Sequence, residues 1–354
     1  MEFPDFPAEN CTESYVHHTE VVRYLRDYSS HFCLDKLIRF HHYLKQLSRD
    51  HTNDCWNITV HDLTENLTFT RQFDIVILCP GRHSVPNWPS IKSLNSFTGR
   101  MIHSHDYRCR EPYTGHRVAV VGGGPSGIDI ALEISKVADD VIFINRTKHF
   151  QPLPDNVHQI NATLQGFKAK SIVIRKDEKT VEFAVDSVIL ATGYRFNLSY
   201  LDQESCGLHW NANDTIDGLY RHMINIEHPS MALMGVCQRS VLPFPLYHQQ
   251  IQYYLRALAS EIQLPSQKEM IEEVNCDLFL RKSIGMRDRD RHCLNVKSLI
   301  EYLRRLERDA NLTPLAAAKL KLFEEIEHRI RTQDIINYKK ASYRIVDEEH
   351  YEEV

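Results

Sequence analysis

With 354 residues, 42% of them apolar and 25% charged, the chain is long enough for two or three domains and a sizeable buried core. A formal net charge of −5 and a pI near 6.5, with no aligned run of Lys and Arg, leave no electrostatic case for nucleic acid. No run approaches the roughly 18 apolar residues of a membrane span, and the start Met1-Glu2-Phe3-Pro4-Asp5 has neither the basic nor the apolar part of an export signal, so a cytoplasmic protein with no transmembrane segment is expected.

In chain order, residues 13–47 carry Val21, Val22, Leu25, Tyr28, Phe32, Leu37 and Leu44 at mixed three- and four-residue spacings, which predicts helix. The period then changes. Trp56–Val60 alternates as a half-buried strand, and Asp74–Gly81 is a short apolar run closed by Pro80 and Gly81, as in a buried strand. A Pro-rich loop through Pro86 and Pro89 leads to a connector, Phe97–Tyr107. Val118–Val121, a glycine turn, helical spacing over Ile128–Val137 and Val141–Ile144 read as strand, turn, helix, strand. Ser171–Ile174 and Val181–Val185 read as a hairpin, Asp186–Gly193 as a closing strand, and Met231–Val236 as another short strand. Residues 244–262 and 297–335 read as helical, and the charged tail after Lys340 as surface or disordered. Tyr247, Tyr253 and Tyr254 are assigned to core packing.

Nine cysteines, an odd number with no Cys-x-x-Cys pair, suit reduced thiols better than a disulfide framework or a zinc site. His17-His18, His41-His42 and His103-x-His105 have no Cys or carboxylate at ligand spacing, so no metal is expected. The Asn-x-Ser/Thr triplets at Asn10, Asn57, Asn66 and Asn145 are read as chance, because Asn145 ends an apolar strand. Arg304-Arg305 and Lys339-Lys340 are read as solvated faces.

Gly122-Gly123-Gly124-Pro125-Ser126-Gly127 satisfies G-x-G-x-x-G, follows a predicted strand and opens a helix. The first glycine permits the tight turn, the second lets backbone approach a pyrophosphate, and the third lets helix pack on strand. The helix start, Pro125-Ser126-Gly127-Ile128-Asp129, then faces the phosphates. At the end of the next strand an NAD site would place Asp or Glu, whereas this chain has Asn145-Arg146. A guanidinium at Arg146 can pair with a 2′-phosphate, which points to NADP(H).

One internal echo stands out. Asp74-Ile-Val-Ile-Leu-Cys-Pro-Gly81 and Asp186-Ser-Val-Ile-Leu-Ala-Thr-Gly193 share D-x-V-I-L-x-x-G. The second lies 64 residues after Gly122, and the same spacing before Asp74 falls near residue 10, yet residues 1–80 contain no glycine. A phosphate-cradling turn of that kind cannot exist there.

Phe97-x-Gly99-x-x-x-His103-x-x-x-Tyr107, just upstream of the glycines, resembles the identifying motif of the flavin-containing monooxygenases. Met1-Glu2-Phe3-Pro4-Asp5-Phe6-Pro7, Leu190-Ala191-Thr192-Gly193-Tyr194 and Pro243-Phe244-Pro245-Leu246 resemble further segments of that family, the last a flavin-side loop. The resemblance runs over most of the chain. It implies an α/β fold of two dinucleotide-binding (Rossmann-like) domains, the NADP domain inserted into an incomplete FAD domain. Residues 1–112 would be the remnant of the FAD domain and connector, 113–195 the NADP-binding domain, and 196–354 the C-terminal part of the FAD domain with a helical tail.

The cofactors implied are NADP(H) and FAD, with Gly81, Tyr194 and the 243–249 loop framing part of the flavin pocket. NADPH reduces the flavin, O2 is trapped as a C4a-hydroperoxyflavin, and oxygen passes to a small nucleophile such as a tertiary amine or sulfide. The cofactor carries that chemistry, so no catalytic side chain is assigned. His103 stays open between a function and a connector histidine satisfied by backbone. Family members carry a first G-x-G-x-x-G for FAD in a leading segment that lies upstream of this Met1, so little retained flavin is expected of the chain as given. The alternative is a truncated, non-catalytic NADP-binding protein. A disulfide reductase and a Baeyer–Villiger oxygenase rank lower, and a homodimer and peripheral attachment to the endoplasmic reticulum stay open.

Overall fold

A computed structural model describes residues 2–8, 13–146, 152–211, 215–237, 243–332 and 336–354. Two compact units divide the chain: unit 1 comprises residues 1–81, 197–327 and 339–354, and unit 2 comprises residues 82–196 and 328–338. The chain therefore passes from one unit to the other four times. Residues 82–112, grouped above with the flanking region, lie in unit 2.

Unit 2 is built on a five-stranded parallel sheet in the order Arg100–His103, Ser187–Leu190, Arg117–Val121, Asp140–Asn145, Val157–Asn161. Strands covered on both faces read as unbroken apolar runs, and Val118–Val121 and Ser187–Leu190 are buried throughout. On one face the helix Pro125–Ile134 packs Ile130, Ala131 and Ile134 against Val118, Val120 and Ile189. On the other, an antiparallel meander of Thr163–Lys168, Ser171–Lys176 and Lys179–Ala184 packs Phe167, Ile172 and Ile174 against Ala119, Val121 and Ile142. The expected hairpin forms, with Ile174 opposite Val181.

Unit 1 has its own antiparallel meander, His42–Asp50, Cys55–Asp62 and Leu67–Phe73. It leads into a four-stranded sheet in the order Leu219–Tyr220, Ile224–Asn225, Met231–Leu233, Val76–Leu78, in which only the last pair is parallel. Tyr253 and Tyr254 of the helix Pro243–Leu258 pack with Tyr220, Ile224 and Leu306 in the core, as expected of them.

Several expectations are corrected. The 13–47 segment is helical over His18–His31 and has a short 3-10 turn at Leu34–Lys36, but from His42 it is strand. The 297–335 segment is two helices, Val296–Asp309 and Ala317–Thr332, separated by a stretch that holds Pro314; residues 333–335 lie outside the described residues. Pro243–Leu246 is the first turn of a helix, not a loop. The tail forms a hairpin of Tyr343–Ile345 with Tyr351–Glu353. The helix Gln267–Ser283 was not anticipated. Asn10 and Cys11 lie outside the described residues; the eight described cysteines are free thiols, and no cluster of metal-ligating side chains occurs among the described residues.

Candidate functional site

The glycine turn sits where three parallel strands of unit 2 end side by side. The Gly122 N–H donates to the Ile144 carbonyl at 2.8 Å, and the Ala191 N–H to the Val121 carbonyl at 2.8 Å. A Cβ on Gly122, whose φ is +129°, would land on the Ala191 carbonyl, and one on Gly127 would land on the Gly122 carbonyl. These two glycines are required by packing. Gly124 differs: nothing lies within 4 Å of where its Cβ would be, so the space in front of the helix is open.

The helix itself starts without a side-chain cap. Gly124 is its N-cap, in extended conformation, and Pro125 follows at the first position, where its missing N–H costs nothing. The first-turn amides, Ser126 and Gly127 among them, stand at the positive end of the helix dipole with no side-chain cap from the N-cap residue Gly124. Ile128 is half-buried and Asp129 exposed on the same turn. Arg146 is exposed directly after the strand Asp140–Asn145, while Asn145 is buried, so a glycan there is excluded sterically. Open backbone, uncapped amides and a nearby guanidinium suit a dinucleotide with phosphate groups.

Tyr194 lies three residues beyond Ala191, in a two-residue antiparallel pairing with Val85–Pro86. Its ring meets His83 at 4.9 Å, His103 at 5.2 Å and His105 at 5.9 Å between centroids. Burial holds the His83 and His103 pKa values below the usual imidazole value, with the Arg82 charge adding to the effect at His83. His103 Nδ1 accepts from the His105 backbone N–H at 3.0 Å, which puts the ring proton on Nε2. Backbone thus holds one nitrogen of the connector histidine, while its buried Nε2 has no hydrogen-bond partner among the described residues.

Sequence reasoning missed Asn87. Its side-chain amide donates to the Thr192 carbonyl at 3.2 Å, its Oδ1 accepts from Arg195 Nε at 2.7 Å, and its backbone N–H donates to the Gly193 carbonyl at 2.9 Å. It fixes the loop after the closing strand. The only signal for it was a polar residue inside a Pro-rich loop.

Gly81 belongs to unit 1 and, like Gly193 in unit 2, is in the left-handed region, at φ +68° against +86°. It follows the strand Val76–Leu78, whose parallel neighbour Met231–Leu233 is followed by Gly235 at φ +83°. Ligands of open parallel sheets bind beyond such strand ends. Among the described residues, however, unit 1 has no strand–glycine turn–helix. These residues do not by themselves supply a pyrophosphate cradle for FAD.

The family model described as flavin-binding monooxygenase-like matches residues 1–150 and 155–318. The chain belongs to this family. Among the relatives of this flavin monooxygenase, senecionine N-oxygenase of Tyria jacobaeae is 27% identical over 99% of the chain and 76% of its own length. The flavin-containing monooxygenase FMO GS-OX2 of Arabidopsis thaliana is 26% identical over 86% of the chain and 67% of its own length. In fold, the S-allyl-L-cysteine S-oxygenase from Allium sativum superposes with a TM-score of 0.85 at 22% identity, over 97% of this chain and 78% of that one. The protein is an oxidoreductase of mixed α/β fold, and among the described residues no helix is long and apolar enough to cross a membrane.

Proposed function

We propose that unit 2 is the NADP(H) domain of a flavin monooxygenase that oxygenates soft nucleophiles, tertiary amines or sulfides. The observation that carries this reading is the turn at Gly122–Gly127, where two glycines are forced by packing, the third opens the approach, and the helix behind them starts uncapped. In this reading Ser126 and Gly127 hold the diphosphate through backbone N–H groups. Arg146 pairs with the 2′-phosphate, and Tyr194, braced by His83, His103 and Asn87, lines the far side of the strand ends. The redox chemistry of that reaction would be supplied by a flavin, which the described residues of unit 1 do not by themselves cradle. The chain's own part is to place the nucleotide and keep water from it. A relative named for the N-oxygenation of senecionine supports the class of substrate and leaves the individual one open.

Titration of purified protein with NADPH and NADH tests the nucleotide site. Arg146→Ala should weaken NADPH about 10- to 100-fold, the loss of a bidentate charge-assisted pair, and leave NADH nearly unchanged. Equal loss for both removes Arg146 from the role, and no binding of either nucleotide to folded protein removes the site.

A second reading, a non-catalytic NADP-binding protein, is supported by unit 1 having no strand–glycine turn–helix among the described residues. An absorbance spectrum with and without added FAD separates the two: a yellow protein with near-stoichiometric flavin supports the oxygenase, and a colourless one that oxidises no NADPH supports the second.

A further inference from the structure

Positive charge is handled differently at the two ends of the unit 2 sheet. At the amino ends of its strands Arg117 pairs with Asp140, nitrogen to oxygen 3.2 Å apart. At the carboxyl ends two arginines follow the two strands that flank the glycine strand Arg117–Val121: Arg146 comes after Asp140–Asn145, and Arg195 after Ser187–Leu190. Both are exposed, and among the described residues neither meets a carboxylate. Arg146 serves the 2′-phosphate in the proposed function, which leaves Arg195 without a role.

Arg195 is not a loose surface side chain. Tyr194 and Arg195 point to opposite sides of their short pairing with Val85–Pro86, Tyr194 toward the three histidines and Arg195 toward solvent. The Arg195 Nε–H donates to Asn87 Oδ1 at 2.7 Å. Asn87 is itself fixed: its Nδ2 donates to the Thr192 carbonyl at 3.2 Å, its N–H to the Gly193 carbonyl at 2.9 Å, and its own carbonyl accepts from Thr192 Oγ1 at 2.6 Å. An amide oxygen orients the guanidinium without cancelling its charge, as a carboxylate would, and both terminal nitrogens stay available. Ordering a long side chain before a ligand arrives removes part of the entropy that binding costs.

The space beside this residue is open as well. A Cβ on Gly193, like one on Gly124, would meet nothing within 4 Å, and the carbonyl of Ala191, just before Thr192 and Gly193, lies against Gly122. The open floor in front of the glycine turn thus continues from the glycine strand onto the end of Ser187–Leu190. Open parallel sheets bind dinucleotides across the crevice at such strand ends, with the adenosine ribose met at the end of the strand that follows the helix. Here that strand is Asp140–Asn145, with Arg146 after it, so the nicotinamide half extends to the other side of the glycine strand, over Gly193. We infer that Arg195, held in place by Asn87, pairs with the phosphate on the nicotinamide half of the dinucleotide. Arg146 tells NADPH from NADH, whereas Arg195 meets a group that both share. The inference rests on the proposed nucleotide site and adds a second cation to it.

Calorimetric titration of the full chain with NADPH, NADH and adenosine 2′,5′-bisphosphate tests it. The bisphosphate carries the adenosine half with its 2′-phosphate and lacks the phosphate assigned to Arg195. Arg195→Ala should weaken NADPH and NADH by the same factor, about tenfold for one charge-assisted pair, and leave the bisphosphate unchanged. Asn87→Asp keeps an acceptor for Nε but neutralises the guanidinium, and should weaken both dinucleotides by about fivefold while sparing the bisphosphate. Arg146→Ala should give the opposite pattern, weakening NADPH and the bisphosphate and sparing NADH. Retained bisphosphate binding shows that a variant is folded, and Arg195→Ala alters an exposed side chain, so it decides the matter should Asn87→Asp not fold. Unchanged dinucleotide affinity in Arg195→Ala, a loss confined to NADPH, or an equal loss for the bisphosphate overturns the inference and leaves the site at Gly122–Gly127 in place. Failure of the unaltered, folded chain to bind any of the three overturns that site and this inference together.

Discussion

Units 1 and 2 each contain a meander that feeds an Asp-headed closing strand and a left-handed glycine, yet they bury that motif to different depths. In unit 2 Ile172, Ile174 and Ile189 are inaccessible to solvent, while in unit 1 Phe73 is 45% and Ile77 40% exposed. The sequences of the two closing segments are nearly interchangeable, so the difference does not come from local propensity. It comes from what lies beside them. A strand becomes core only when neighbouring strands and a helix remove its two faces and its second edge from water.

The largest expected effect tests that contrast directly. Ile174→Ala empties a sealed site and should cost about 3 kcal/mol in urea unfolding. Ile58→Ala, at the half-buried meander position of unit 1, should cost less than about 1 kcal/mol. Similar losses would mean that the unit 1 face is covered in solution.

Acid should come next, and should act on unit 1. His292 is buried, its Nε2–H donates to the Ile216 carbonyl at 2.9 Å, and its Nδ1 therefore accepts from the Nδ1–H of His222 at 3.0 Å. Both rings are held neutral: burial, with the Arg281 charge behind it, lowers His222 to about 4 and His292 well below its usual value. Because the folded pKa lies below the unfolded one, the unfolded chain binds the extra protons, and stability present above about pH 6.5 is lost as pH falls toward 4. Between pH 7 and 5 the loss from His222 should be about 1–2 kcal/mol. A flat stability profile over that range, followed by denaturant unfolding, would contradict the neutral pair.

The smallest effect concerns the two helix starts. The unit 1 helix Gln267–Ser283 has a full capping box, Ser266 and Glu269 each accepting from the other's backbone, whereas the helix at Pro125 has none. Gly124→Ser fits the open space and should add a few tenths of a kcal/mol to stability. The same hydroxyl would occupy the amides proposed to hold phosphate and lower NADPH affinity by about tenfold. Unchanged affinity would show that those amides do not meet the nucleotide.

Much of unit 2 was legible because its signals are local. Val118–Val121, the glycines and Val141–Ile144 state a buried strand, a turn and a second strand within one short stretch, and the fold obeys them. The reading of 13–47 failed where Leu37 and Leu44 kept a helical spacing that the positive φ of Cys33 and His41 breaks; nothing in those residue types signals a left-handed turn. Gln267–Ser283 went unread because it buries only Met270 and so has no apolar stripe, although Ser266-x-x-Glu269 marks its start. Asn87 acts through contacts more than 100 residues away, with Thr192 and Arg195, and no window of sequence contains both ends.

The four passages between units carry a consequence for synthesis. Unit 2 includes residues 328–338, which leave the ribosome only after nearly all of unit 1 has been made. The parallel sheet around Gly122 can therefore assemble early, but the unit is completed only after residues 197–327 of unit 1 have been made.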